Sequence, residues 1–253
     1  MIRAIIKEFK NMSKEFLGTV LFGVLLMVGL NAYSITNSSW ELRIDMWTYG
    51  LDLFGFILPL IVSLPFGFKI FHEIKDGYLK NVFNRTHMTD YLKVKFYAGM
   101  LAAYISVLLI LLLSLIISLY VLPMTPAALG DAYESSLAII FNSLALRNPL
   151  AFGLIISIWI PVIGILFYVM TYQLAFISSN VFVVLTGAFI YSIVENFISA
   201  VLGLPQISLV TAQLIPRTGM IEKSGYGAPM IGLGIALLFI IVLNLLKKHN
   251  DLF

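Results

Sequence analysis

Two carboxylates stand where a carboxylate is costly. Asp52 and Glu195 each fall within a long stretch of otherwise uncharged, mostly apolar residues. An ionised side chain at the centre of a membrane helix costs about 2.5 to 3.5 kcal/mol, so an acid in such a place is a functional candidate by position alone. Helical spacing puts Ala188, Ser192, Asn196, Ser199 and Gly203 on the face of Glu195, and Phe189, Ile193, Phe197 and Val201 on the other. That polar, small-residue stripe calls for protein or water beside it instead of lipid. Two chemistries are open to it: hydrogen bonds that hold helices together, the commoner use of small polar residues in membranes, or contact with a species that crosses. Asp52, near one end of its stretch, has both options and the simpler one of reaching the membrane interface.

The enzyme signatures fail. His72-Glu73-Ile74-Lys75-Asp76 begins like a zinc-protease helix but has Asp76 where the second His belongs. All three His residues, His72, His87 and His249, lie outside the apolar stretches, which argues against an intramembrane Ser-His pair or His-metal site. No G-x-x-x-x-G-K-[ST] loop occurs, so the chain does not hydrolyse ATP with a phosphate loop of its own. Without Cys there is no disulfide and no thiolate nucleophile or metal ligand. The reading is of a protein that is not an enzyme and binds no metal or cofactor directly.

The elements that must position these acids follow from composition. Of 253 residues, 60% are hydrophobic and 11% charged, and the mean hydropathy is +0.98. That is more apolar surface than one soluble core can hide, and the fold expected is all-α and polytopic. Six spans are predicted, at 16–33, 46–68, 96–122, 150–174, 181–204 and 228–246, each long enough for about 30 Å of hydrocarbon. Trp40 and Trp47 are expected as interface anchors. Pro59 and Pro65 free backbone carbonyls that need partners, which places the second span inside the bundle. Residues 178–180 read as a tight turn. The stretch Ile207 to Ile215, between Pro205 and Pro216, is half a membrane thick and reads as a re-entrant or surface helix. At the start, Ile2, Ile5, Ile6, Phe9 and Met12 oppose Arg3, Lys7, Lys10 and Lys14, the pattern of an interfacial amphipathic helix over 1–15.

The remaining landmark is a charged island, 69–95, holding six of the sixteen basic residues. It must lie in water between spans two and three. Ile74, Tyr78, Leu79, Val82 and Phe83 extend span two as an apolar stripe, Asn84 to Thr86 break it, and Thr89 or Asp90 caps the helix entering span three. With six spans, twelve of the sixteen Lys and Arg residues fall on the side of both termini and the island, which predicts that side to be cytoplasmic. The small basic excess sits at membrane flanks, and nothing supports a nucleic-acid partner. The island is either an ordinary solvated loop or a docking element.

The order of elements resembles the six-span permease subunits of type-2 ABC exporters. Within the island, Glu73-x-x-x-Gly77 followed by Tyr91-x-x-x-Lys95 is similar to that family's loop pattern, while Arg85 and Met88 stand where the family often has a proline and an arginine. The resemblance implies a single permease domain, 1–253, in a bacterial cell membrane. It implies an island that docks as a coupling helix on a separate cytosolic ATPase through Glu73, Lys75, Asp76, Gly77, Tyr78, Val82, Phe83 and Arg85. A second permease copy or a sister permease would complete it, with ATP supplied through the partner. Asp52, Ser192, Glu195, Asn196 and Ser199 would lie on the translocation path or a helix interface, and the cargo would be amphipathic: a peptide toxin, a bacteriocin or a hydrophobic drug. The alternative class is a stand-alone secondary transporter in which Asp52 and Glu195 bind protons or sodium. Its usual sign, matching interrupted helices in two halves, is not evident between 1–122 and 123–253.

Overall fold

The computed structural model describes residues 1–37, 40, 42–76, 88–123, 142–213 and 227–249, and these contain helices and no strand. The elements are α1 (Ile2–Asn11), α2 (Ser13–Asn37), α3 (Arg43–Lys75), α4 (Met88–Tyr120), a short α5 (Asn142–Arg147), α6 (Pro149–Ile177), α7 (Val181–Val201), a 3₁₀ turn (Pro205–Ile207), a short α8 (Leu209–Gln213) and α9 (Ala228–His249). Five of them, α2, α3, α4, α6 and α7, are long and apolar enough to cross a membrane. The sixth expected span is α9, whose apolar part, Met230–Leu246, is shorter than the others. The protein is an all-α, multi-pass membrane protein.

Local chemistry sets several boundaries. Asn148 caps α6, its Oδ1 accepting from the Ala151 N–H at 3.1 Å, and Pro149 takes the first helical position, where its missing N–H costs nothing. Asn180 caps α7 through the Phe182 N–H at 2.9 Å, so the turn expected at 178–180 is present. Gly203, at φ 72°, reverses the chain after α7, a conformation other residues resist. The longest overruns of the expected spans are in α3, which starts at Arg43 and continues to Lys75, and α4, which starts at Met88.

The centre of the bundle is α3, which touches α2, α4, α6 and α7. Trp47, Leu51, Phe54, Leu58 and Val62 recur along one face and are fully buried, as Pro59 and Pro65 predicted for an inner helix. In lipid, apolar burial does little to draw helices together, so close approach and polar bonds must do it. Both are present. Ala98, Ala102 and Ala103 are fully buried on α4. Asn31 donates to Ser118 Oγ at 2.7 Å, Trp47 Nε1 to Ser114 Oγ at 3.1 Å, and the Ser63 and Thr171 hydroxyls lie 2.7 Å apart, joining α2 to α4, α3 to α4 and α3 to α6. This corrects the interface reading of the tryptophans. Trp47 is 0% exposed and Trp40 8%, because the indole N–H of each finds an acceptor inside the protein, Ser114 Oγ for Trp47 and the Ser34 carbonyl for Trp40.

Candidate functional site

The overrun of α3 carries Lys69, His72, Glu73, Lys75 and Asp76, and the early start of α4 brings Tyr91 and Lys95 beside it. Lys95 Nζ donates to Glu73 Oε1 at 2.6 Å and to Glu8 Oε1 on α1 at 2.5 Å. The Tyr91 hydroxyl donates to Glu73 Oε2 at 3.4 Å, and its ring lies 5.5 Å from the ammonium. Tyr168 and Tyr172 of α6 support the first turns of α4, donating to the carbonyls of Lys95 (3.5 Å) and Leu92 (3.1 Å). On the other side Lys69 reaches the α1–α2 junction, donating to the Asn11 carbonyl at 2.9 Å and lying 3.5 Å from Glu15. The side chains of Lys95, Glu8 and Glu73 are only 9, 12 and 17% exposed, so this junction of α1, α3 and α4 is a mostly enclosed ionic knot.

Three residues picked out by the loop pattern, Glu73, Tyr91 and Lys95, thus meet in space. Glu73 is turned inward to Lys95 and Tyr91; Lys75 and Asp76 are the outward ones, with His72 Nδ1 3.6 Å from the Asp76 carboxylate. The further expected contacts Gly77, Tyr78, Val82, Phe83 and Arg85 lie outside the described residues. Glu8 was not anticipated. Its signal was present, an acid three residues after Ile5 and four before Met12, on the apolar side of a helix whose other charges are basic. Met12 is buried and Ile5 and Phe9 pack on the core, so Glu8 points where they do.

The second site is on α7. Its buried residues are Val184, Ala188, Ser192, Glu195 and Ser199, while Asn196 of the stripe read from spacing is half-buried, Gly203 lies exposed beyond the helix end, and Ile193, Phe197 and Val201 face outward. Glu195 is 8% exposed, and both carboxylate oxygens accept from the Leu209 N–H, at 3.0 and 3.1 Å. Ser199 Oγ lies 3.5 Å from Oε1. One residue along, Ser208 Oγ donates to Asn196 Oδ1 at 3.1 Å. The stripe therefore holds the segment 205–213, tucked between α7 and α9, by its backbone; Trp159 of α6 secures the far end through the Ala212 carbonyl at 2.9 Å. Asp52 is 4% exposed and buried on α3, so it does not reach the interface.

Beside Glu195 a groove of about 470 Å³ opens between α7 and α9, with Ile207 at its end. Its walls are apolar, Ile190, Val194, Ile198, Leu202 and Ile235, apart from Glu195, Ser199 and Tyr191. Tyr191 stacks on Phe239 of α9 with ring centroids 4.4 Å apart, and its enclosed hydroxyl has no hydrogen-bond partner among the described residues. No protein-family model matches this chain, and no curated protein or solved structure shows significant similarity to it.

Proposed function

We propose that the chain is the membrane-spanning permease subunit of an ATP-driven exporter of the type-2 ABC class, working as a dimer or with a sister permease and moving amphipathic cargo. The observation that carries this reading is the meeting of Glu73, Tyr91 and Lys95 at the ends of α3 and α4, with Glu8 of α1 drawn in. A solvated loop has no need of a lysine enclosed between two carboxylates at its root. An element that must carry displacement from a docking partner into two spans does, because a push is transmitted only through a rigid junction with discrete arrangements. The island 69–95 would take the push, with Lys75 and Asp76 facing the partner together with Gly77, Tyr78, Val82, Phe83 and Arg85. The long helices α3 and α4 would then pass it to the polar bonds with α2 and α6.

The test is affinity purification of the tagged chain from its native membrane, followed by reconstitution with whatever nucleotide-binding subunit co-purifies. The expected result is a stable complex whose ATP hydrolysis drives transport, and whose coupling is lost on Phe83→Ala. Gradient-driven transport by the chain alone, with no nucleotide-binding partner recovered, refutes the reading in favour of a secondary transporter.

A further inference from the structure

We infer that the groove between α7 and α9 is a binding site for an amphiphile with a cationic head, the head seated against Glu195 and Tyr191 and the apolar body along Ile190, Val194, Ile198 and Leu202. The argument begins with charge. Glu195 is enclosed, and its partners are one backbone N–H and one distant hydroxyl; no basic side chain pairs with it among the described residues. A carboxylate has room for about four hydrogen bonds, and one donor shared between two oxygens leaves most of that capacity unused. An enclosed acid without a counter-ion favours either a proton or a cation.

The groove favours the cation. Tyr191, a turn before Glu195 on the same helix, lines the same wall, its hydroxyl enclosed and without a hydrogen-bond partner among the described residues. The Tyr191 and Phe239 rings beside it add faces that attract positive charge. A carboxylate beside two aromatic rings makes a recognition set for ammonium, guanidinium or phosphonium, and one that repels anions. The volume, about 470 Å³, lies in the range of small-ligand pockets. The approach is lateral: Ile190, Val194, Ile198 and Leu202 are about half exposed or more, so an apolar body enters from the hydrocarbon without crossing water. Glu195 is fourteen residues from the start of α7 and six from its end, about 21 and 9 Å at 1.5 Å per residue, so a seated head would lie within the length of the helix, nearer its Val201 end.

This assignment deepens the transport reading, and rests on it for the meaning of the ligand as cargo. The test separates the two because it contains no ATPase. Saturable binding of tetraphenylphosphonium and of tetraphenylborate, near-isosteric ions of opposite charge, is measured on the purified chain in nanodiscs by scintillation proximity, with empty nanodiscs subtracted. The expected result is saturable binding of the phosphonium only, weakened about tenfold by Glu195→Gln, which removes the charge and keeps an acceptor for Leu209. Ile198→Trp, which fills the groove without touching the carboxylate, should weaken binding comparably, while Phe197→Trp on the outward face should not. Equal binding of both ions, or phosphonium binding that survives either Glu195→Gln or Ile198→Trp, overturns the site. A chain that binds phosphonium but joins no ATPase keeps the site and loses the permease reading; one that joins an ATPase but binds no cation does the reverse.

Discussion

Removing the Lys95 ammonium should damage the protein more than removing either of its acids. With Lys95→Met the Glu8 and Glu73 carboxylates, 12 and 17% exposed, are left facing one another across the space of the lost ammonium. Stripping the partner from an enclosed ion costs about 3 to 5 kcal/mol. With Glu8→Gln the ammonium keeps Glu73 at 2.6 Å and a neutral acceptor in place of Glu8, so the loss is the charge assistance of one hydrogen bond, about 1.5 kcal/mol. For a chain of this size, about 2 to 4 °C of melting temperature per kcal/mol turns these into drops of about 6 to 20 °C and about 3 to 6 °C. Intrinsic tryptophan fluorescence during heating in detergent reads both, Trp47 being buried in the bundle and Trp159 half-buried against its core. The triple change Lys95→Met, Glu8→Gln, Glu73→Gln should recover most of the single-site loss, because no unpaired charge remains. A Lys95→Met protein melting within 2 °C of the parent, or a triple variant worse than the single one, would refute the ionic-knot account.

Two further outcomes follow from the packing and the charge distribution. Gly50→Ala drives a methyl group into the Asn31 side chain, which bonds Ser118 on α4; overpacking of this kind costs about 1 to 3 kcal/mol, and melting of the variant should fall accordingly, whereas Gly18→Ala, which meets nothing, should be silent. Because the chain has no Cys, single cysteines can map its topology: one at position 85 should react with an impermeant maleimide only after the membrane is opened, and one at position 130 in intact cells. The opposite pattern would invert the expected orientation and remove the island from the reach of any cytosolic ATPase.

What the sequence made readable is what hydropathy and helical spacing determine directly. The apolar runs became α2, α3, α4, α6, α7 and α9, the turn at 178–180 was marked by Ser178, Ser179 and Asn180, and Ala188, Ser192, Glu195 and Ser199 of the α7 stripe lie buried, though Asn196 is half-buried and Gly203 exposed. The ends of α3 and α4 were harder, because a helix leaving the membrane is limited by caps and not by apolarity, so it runs on to Lys75 while its hydropathy fades. The tryptophans were misassigned because whether an indole sits at an interface or in a core depends on an acceptor from a distant helix, here Ser114, that Trp47 does not announce. Glu8 is the same problem in sharper form: its partner is 87 residues away. The groove at Glu195 could not be read at all, since it exists only where α7, α9 and the segment between them diverge.

That separation of 87 residues between Glu8 and Lys95 has a consequence for biogenesis. The helix α1 leaves the ribosome well before α4, yet it packs chiefly on α4 and hardly on the adjoining α2. Until α2, α3 and the island have been made and α4 has begun, α1 lacks the helix it chiefly packs on, and Glu8 lacks Lys95. The nascent helix must wait at the membrane surface, where Ile2 and Ile6, still exposed in the finished fold, sit in the headgroup boundary and Arg3, Lys7 and Lys10 face phosphates. Its capture by Lys95 then marks the moment at which the first three spans have inserted with correct orientation. A chain that inserts α4 the wrong way round presents that lysine to the opposite leaflet and leaves α1 undocked, a state that quality-control proteases could distinguish by an accessible N-terminus.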